Sequence, residues 1–199
     1  MRLFSYVVAR DYGFAPNPFF GACTLATCKP GIRKHAFVGD WIIGTGSKTK
    51  DRQRHLVYAM RVTEVMTFDE YWEDMRFQRK KPSLKGSLKQ AFGDNIYFQD
   101  GQGNWQQMDS HHSYEDGRPN QYNIVNDTQT DRVLLSTEYV YWGGSGPAIP
   151  QRFCDPNGSN VCANRGYKCN FPDQLVSELV TWLCALGKHG YLGTPLDWP

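Results

Sequence analysis

The sequence lacks long hydrophobic runs and lacks an excess of charge of one sign. Its longest apolar stretches, such as residues 6–9 and 41–43, are far shorter than the roughly 20 residues that a membrane-spanning helix needs. No basic segment leads into a long hydrophobic one near Met1, as a secretory signal would require. We therefore expect a cytoplasmic protein that neither crosses a membrane nor is secreted. Because 22 Lys and Arg balance 20 Asp and Glu to a formal net charge of +2, binding to nucleic acid would require a local basic patch.

The sequence does contain enough apolar side chains for a core, and a surplus of aromatic ones. Hydrophobic residues make up 40% and charged residues 21% of the 199 residues, a composition typical of a single folded domain. Aromatic residues reach 14%, more than a small core usually contains, so some of them are candidates for a pocket or a stacking surface. In a reducing cytosol the six cysteines are expected to remain thiols.

The order of local patterns predicts a mainly β protein of the α+β class. The strand-like segments are residues 3–9, 39–47, 55–64, 95–99 and 133–142. A capping box from Thr67 to Glu70 opens one helix, and leucines at helical spacing place another between Asp173 and Gly187. No regular alternation of strands and helices supports a parallel sheet. We therefore predict a curved antiparallel sheet that closes into a small barrel, covered by helices.

We predict a single domain over residues 1–199 with two additions to the barrel. The first is a polar insertion near residues 106–131, which shows no sustained periodicity. The second is a C-terminal extension, residues 150–199, which carries several cysteines.

No strong enzyme motif is present. The Rossmann fingerprint, the phosphate-binding loop, the Gly-x-Ser-x-Gly elbow and the zinc-deaminase signature are all missing. Cys28 is the candidate nucleophile, because Lys29 and a predicted helix start at Pro30 would both favour its thiolate. The candidate proton-transfer groups are His35 or His55, as partners of Cys28, and Asp11 or Asp40, as general acid or base.

Cysteines and histidines elsewhere give little indication of a metal site. Cys154, Cys162 and Cys169 lack the closely spaced ligand pair of ordinary structural zinc sites, although a site that joins them to two earlier cysteines stays open. His111 and His112 lie among acidic residues of the polar insertion, a pattern that fits either a metal site or solvated side chains, and we favour solvation. We therefore predict no metal and no cofactor.

The aromatic surplus gathers around Gly-rich strand ends and predicts a site for a flat nucleobase. The aromatic candidates are Phe19, Phe20 and Trp142. The polar candidates for contact with the base are Asp11, Asn17, Thr45, Ser47 and Ser145. The candidates for contact with phosphate are Lys29, Arg33 and Lys34, with Arg76, Arg79, Lys80 and Lys81 as a second group.

The chain resembles the nucleotide modification associated domain 2 family over roughly residues 4–150. The resemblance is carried by the strings YVVARDYGFAPNPFFGACTLATCKPGIRKHAFVGDWIIGTGS, LVYAMRVTEVMTFDEYW and FGDNIYF. It implies a role in prokaryotic or phage systems that make or handle modified DNA bases. The Gly39–Asp40 turn, the strands after it and the following helix more distantly resemble the PUA-like barrels, including ASCH, EVE and YTH domains. Because EVE and YTH domains hold modified bases in aromatic cages, this second resemblance implies a similar use of the aromatic surplus.

We predict that the protein binds a modified or flipped nucleobase, in DNA or as a nucleotide, as a reader or accessory of a base-modification or phage-defence system. The alternative is an enzyme that acts on a nucleobase or nucleotide with Cys28 as its nucleophile. A third interpretation is a protein-interaction subunit whose insertion, residues 106–131, docks on a partner. The expected partners are a nucleic acid or nucleotide with a modified base, and a modification or defence enzyme.

Overall fold

The computed structural model describes residues 1–155 and 160–198, and the chain forms two compact units. Unit 1 consists of Met1–Asp11, Ala36–Thr63 and Ser136–Pro199, and unit 2 consists of Tyr12–His35 and Glu64–Leu135. Residues 156–159 and Pro199 of the predicted extension lie outside the described residues. The single domain over residues 1–199 stays a prediction.

The described elements are mostly short. The strands are β1 (Leu3–Val8), β2 (Cys23–Leu25), β3 (Trp41–Gly46), β4 (Leu56–Arg61), β5 (Glu64–Met66), β6 (Tyr97–Gln99), β7 (Trp105–Gln107), β8 (Val133–Ser136), β9 (Glu138–Tyr141), β10 (Tyr167–Lys168) and β11 (Gly190–Tyr191). The α-helices are α1 (Pro30–His35), α2 (Phe68–Glu73), α3 (Leu88–Ala91), α4 (Gln121–Asp127) and α5 (Asp173–Ala185), with 3₁₀ turns at Lys48–Lys50, Met75–Lys80, Gly143–Ser145 and Gln151–Phe153. Within the described ranges, none of the helices has the length and apolar character that crossing a membrane requires.

Unit 1 is built on a six-stranded sheet of mixed direction, with the strand order β10-β1-β3-β4-β9-β11. β1 runs parallel to β3, and β9 runs parallel to β11, while the other neighbouring pairs are antiparallel. Helix α5 buries Val176, Leu179 and Leu183 at helical spacing in the core of this unit. The helix predicted between Asp173 and Gly187 is therefore confirmed.

The prediction of an antiparallel sheet that closes into a barrel is wrong. In the part of the chain that the structure describes, no sheet closes on itself, and the large sheet ends on either side in a strand of only two residues. The sheet is mixed because residues 12–35 intervene between β1 and β3 and supply the long connection that parallel neighbours need. A direct hairpin between these two strands would have paired them antiparallel.

Unit 2 contains a three-stranded sheet, in the order β2-β8-β5, and the β6–β7 hairpin. The predicted capping box is confirmed: Thr67 caps the N-terminus of α2, and the Glu70 side chain accepts a hydrogen bond from the Thr67 N–H. The core of the unit is aromatic, and Phe68, Tyr71 and Tyr97 are almost completely buried in it. This core supports the loop after β2 and the polar segment after β7, which together form the candidate site.

Candidate active site

Cys28 lies in the loop between β2 and α1, where the backbone has an unusual conformation. The φ angle is 56° at Cys28 and 43° at Lys29, in the left-handed region that residues with a Cβ rarely adopt. Each such residue costs on the order of 1–3 kcal/mol and persists only where surrounding contacts hold it in place. The Cys28 side chain is half-buried, so the strained loop presents a thiol that is still partly open to solvent.

A relay of three side chains starts at Cys28 and passes through His112 to Asp127. The Nε2 atom of His112 lies 3.6 Å from the Cys28 Sγ. Its other ring nitrogen, Nδ1, lies 2.8 Å from Oδ2 of Asp127. Thiol, imidazole and carboxylate in this order are the arrangement in which a base activates a nucleophile and a carboxylate orients the base.

Asp127 is completely buried at the end of α4 and is held from several sides. Its Oδ1 accepts a hydrogen bond from the main-chain N–H of Cys28 at 2.8 Å. Its Oδ2 accepts a second one from the Tyr97 hydroxyl at 2.9 Å. One carboxylate therefore fixes both the imidazole of His112 and the backbone of the candidate nucleophile.

Arg33 lies beneath this relay and connects its two ends. The side chain is completely buried, and Nε donates to the carbonyl oxygen of Cys28 at 2.9 Å. The guanidinium also donates to the carbonyl oxygen of Asp127 and to that of Arg132, the latter at 2.8 Å. Burial lowers the pKa of Arg33 to about 10, and the nearby Asp127 opposes the shift, so the group stays cationic at neutral pH. Arg33 thus ties the Cys28 loop to the C-terminus of α4.

His112 is held on its backbone and on its ring. The Asn123 side chain donates to the His112 carbonyl oxygen at 2.8 Å, and the Phe14 ring lies 4.6 Å away, centroid to centroid. Burial alone would lower the pKa of His112, but hydrogen bonds with Asp127 and Cys28 outweigh it and raise the pKa to about 9. The imidazole is therefore cationic at neutral pH. A cationic imidazole next to a cysteine favours the thiolate, which is the nucleophilic form.

The same three side chains include atoms of the types that bind metals. The ligand atoms of Cys28, His112 and Asp127 all lie within 4.8 Å of one another. Asp127, however, contacts Nδ1 of the imidazole, whereas Cys28 faces Nε2. Because these nitrogens point in different directions, the carboxylate and the thiol do not converge on one ion through His112. The geometry therefore favours a catalytic relay over a metal centre.

Sequence analysis identified Cys28 but not its partners. His35 is exposed and contacts the Gly31 carbonyl through Nδ1 at 2.8 Å, and His55 belongs to unit 1. The interpretation of His112 as solvated is wrong, because only 15% of its side chain is exposed and both ring nitrogens have partners. The only available signal was the pair of adjacent histidines in an insertion without periodicity, and nothing in its spacing pointed to residue 28.

Five of the residues predicted to bind the base or act on it belong to unit 1: Asp11, Thr45, Ser47, Trp142 and Ser145. All except Ser145 are buried. Trp142 is 7% exposed and packs in the core of the unit. Asp11 accepts hydrogen bonds from the Tyr141 hydroxyl at 2.5 Å and from the N–H of Leu196 at 3.0 Å. The base-binding roles of these residues stay predictions.

The other predicted contacts with base and phosphate belong to unit 2: Asn17, Phe19, Phe20, Lys29, Arg33 and Lys34. Phe19 is 2% exposed, whereas Phe20 is half-buried with the guanidinium of Arg79 4.5 Å above its ring. Lys34 is exposed, while Lys80 of the second basic group is completely buried. Their roles also stay predictions.

The remaining candidates lie in unit 1. Asp40, a predicted acid or base, forms an ion pair of 2.9 Å with Arg2. Cys154 and Cys162 are buried with their Sγ atoms 3.0 Å apart, and Cys169 is exposed. These cysteines are free thiols in the structure, as Cys28 is.

Comparison with known proteins bears out one of the two resemblances. The family model of nucleotide modification associated domain 2 matches residues 1–199, which includes both units. No curated protein matches the chain, and no solved structure matches it. The likeness to PUA-like barrels has no support from these comparisons.

Proposed function

We propose, because this chain belongs to the nucleotide modification associated domain 2 family, that it is an enzyme that acts on a nucleobase or nucleotide through the Cys28 thiolate. The observation that carries the proposal is the position of His112, with Nε2 3.6 Å from the Cys28 Sγ and Nδ1 2.8 Å from Asp127. Buried carboxylates and tyrosines also occur in structural networks. An imidazole placed between a carboxylate and a half-buried thiol is an arrangement for proton transfer.

The proposed reaction passes through a covalent intermediate. The Cys28 Sγ attacks an electrophilic carbon of the substrate and forms a carbon–sulfur bond. The electron pair displaced from that carbon moves to a neighbouring atom or leaving group, which takes the proton of the His112 imidazolium. A water molecule or a second nucleophile then attacks the same carbon and gives its proton to His112, and the carbon–sulfur bond breaks to restore the thiolate. Asp127 keeps the imidazole oriented through both steps.

A reader role, the first prediction from the sequence, requires no nucleophile. The family name indicates an association with nucleotide modification and does not distinguish reading from catalysis. The relay of Cys28, His112 and Asp127 favours catalysis, because binding alone would not explain a thiol paired with a cationic imidazole.

Alkylation of Cys28 tests the proposal without a known substrate. Iodoacetamide labelling at neutral pH, followed by mass spectrometry of each cysteine, should modify Cys28 of the wild-type protein faster than the exposed Cys184. His112→Asn should reduce this rate on the order of tenfold or more, because it removes the imidazole that faces the sulfur. Cys184, which is exposed in unit 1, provides an internal control whose rate should not change. Identical labelling rates of Cys28 in the two proteins would refute the functional pairing of Cys28 with His112.

Turnover distinguishes the enzyme from the reader. The wild-type protein and Cys28→Ala are incubated with nucleotides and with DNA that carries unmodified or modified bases, and the products and the protein are analysed by mass spectrometry. The proposal expects a product, or a covalent adduct on Cys28, that is absent from Cys28→Ala. Binding of a modified base by both proteins with no product and no adduct would instead support the reader role.

A further inference from the structure

Three aromatic rings of unit 2 pack together next to the Cys28 site. Tyr12 and Phe92 are stacked with their centroids 5.1 Å apart and their planes 13° apart. The His111 ring lies 4.8 Å from the Tyr12 ring and 5.3 Å from the Phe92 ring, and its plane is inclined to theirs by 58° and 70° respectively. We call these three side chains the aromatic wall.

The aromatic wall lies at the surface of the core and not inside it. His111 is exposed, and Tyr12 and Phe92 are half-buried. Phe14, which is 4% exposed, lies beneath, 5.2 Å from the His111 ring. Rings that are supported from below and partly open to solvent are typical of stacking platforms for planar ligands.

The wall is directly connected to the catalytic relay. The rings of His111 and His112 are 6.2 Å apart, with an angle of 26° between their planes. Phe14 contacts both rings, at 5.2 Å and 4.6 Å respectively. His112 then faces Cys28 through Nε2. A planar ligand on the aromatic wall would therefore lie next to His111, whose neighbour His112 contacts Cys28.

The backbone behind the wall is fixed before any ligand binds. The Asn17 side chain donates to the carbonyl oxygens of Gly13 at 3.1 Å and Phe92 at 2.9 Å, and so links the two segments that supply the stacked rings. The oxygen of the same amide accepts a hydrogen bond from Nζ of Lys80 at 2.6 Å. Asn17 and Lys80 are both completely buried. This arrangement reduces the ordering cost of binding, which is the usual benefit of a preformed site.

We infer that the aromatic wall binds the base of the substrate by stacking, and that the carbon attacked by Cys28 therefore belongs to the base. This inference rests on the proposed function, and it adds the location and the chemical class of the reacting group. Stacking accepts any nucleobase, because every base has a flat π face, and it does not depend on the sugar or the phosphate. Because the His111 plane is inclined by 58° to the Tyr12 plane, the base stacks on one of these two rings and contacts the edge of the other.

Calorimetric titration of a variant that cannot turn over tests the inference. Cys28→Ser is titrated with each of the four deoxynucleoside 5′-monophosphates and with deoxyribose 5-phosphate, which lacks a base. A second pair of probes is a single-stranded oligothymidylate and an abasic strand of the same length. We expect at least one probe that carries bases to bind more tightly than its base-free counterpart. Comparison of the mononucleotides with the oligothymidylate shows whether the base comes from a free nucleotide or from DNA.

Substitutions then locate the base. In the Cys28→Ser background, Tyr12→Ala and His111→Ala should each weaken binding of the base-bearing probe roughly 5- to 150-fold, as expected for the loss of one stacking partner. Tyr122→Ala, which removes an exposed aromatic ring on α4, is the matched control and should change affinity less than about twofold. Because His111 is exposed, its substitution keeps the test valid even if Tyr12→Ala does not fold.

Two outcomes would overturn the inference. One is binding that does not depend on the presence of a base, including no binding of any probe. The other is base-dependent binding that is unaffected in His111→Ala. The labelling rate of Cys28 is measured independently of base binding. An incorrect assignment of the aromatic wall can therefore be distinguished from an incorrect assignment of the Cys28–His112 pair.

Discussion

Unit 2 contains two clusters with nearly the same residue types, but their cysteines are in different environments. The Cys28 cluster consists of Cys28, His112, Asp127 and Tyr97, and the Cys23 cluster consists of Cys23, Lys80, Asp94 and Tyr71. In each cluster a buried carboxylate accepts a hydrogen bond from a tyrosine hydroxyl, at 2.9 Å in the first and 2.8 Å in the second. The comparison shows what a cysteine needs, in addition to a nearby carboxylate and tyrosine, to be a candidate nucleophile.

The Cys23 cluster is closed to solvent. Its four members are completely buried. The Thr24 hydroxyl donates to Asp94 at 2.6 Å, and Nζ of Lys80 donates to the Thr24 hydroxyl at 3.1 Å. Burial raises the pKa of Cys23 far above its ordinary value, and the charge of Lys80 only partly opposes this effect. Cys23 therefore stays a protonated thiol, and its role is to pack in the core.

The Cys28 cluster differs in one side chain and in access. His112 stands between the carboxylate and the sulfur, and Cys28 itself is half-buried. The His112 imidazole faces the Cys28 Sγ at 3.6 Å and can pass a proton to it, whereas the Lys80 ammonium donates to the oxygens of Asn17 and Thr24. We conclude that His112 and partial exposure distinguish the candidate catalytic cysteine from the structural one.

The largest effect on stability should come from the Cys23 cluster. Burial lowers the pKa of Lys80 to about 8, so the ammonium group is retained only because its neighbours bind it. Lys80→Ala leaves the oxygens of Asn17 and Thr24 without this donor and leaves Asp94 without its cation. We expect a loss of about 3–5 kcal/mol in the free energy of unfolding, measured with urea at neutral pH.

Lys85→Ala is the control for this prediction, because Lys85 is an exposed lysine of the same unit, five residues after Lys80. It should change the free energy of unfolding by less than about 0.5 kcal/mol. If Lys80→Ala reduced the free energy of unfolding as little as Lys85→Ala does, the Cys23 cluster would not be stabilising the fold.

The next effect should come from His112 and depend on pH. The pKa of His112 is raised from 6.5 to about 9 in the folded protein, so its protonation stabilises the fold fully below about pH 6.5. That stabilisation is lost as the pH rises through about 9, and the shift corresponds to on the order of 3 kcal/mol. We expect the stability of the wild-type protein to fall over this range relative to His112→Asn. Urea unfolding of both proteins at several pH values measures the difference.

The exposed His35 is the matched control. His35→Asn should leave the pH dependence of unfolding close to that of the wild-type protein, because the His35 side chain is exposed and solvent screens its charge. A pH-independent difference between the wild-type protein and His112→Asn would contradict the ion pair with Asp127.

Local signals in the sequence predicted elements, but not how those elements pair. The Thr67–Glu70 capping box and the leucine spacing of α5 depend on neighbours along the chain, and both features are present. The parallel pairing of β1 with β3 depends on how a whole segment of unit 2 is inserted between them, which no local pattern encodes.

The same distinction applies to the candidate site. Cys28 was identified because Lys29 and Pro30 are its neighbours in sequence. Its contacts with His112 and Asp127 span 84 and 99 residues, and both partners lie in a polar segment without a repeating pattern. The polarity of that segment predicts solvation, whereas at these two residues hydrogen bonds to buried groups explain it.

The smallest effect on the free energy of unfolding should come from the two tyrosines. Their substitution also distinguishes the structural role of the Cys23 cluster from the proposed catalytic role of the Cys28 cluster. Tyr97→Phe and Tyr71→Phe each remove one hydroxyl from a buried carboxylate, so each should reduce the free energy of unfolding by about 2 kcal/mol. Only Tyr97→Phe should also reduce the rate of Cys28 labelling, because the carboxylate that loses its donor is the one that orients His112. Equal labelling rates of Cys28 in the two variants would mean that Tyr97 stabilises the fold without positioning His112, and the two tyrosines would then have the same role.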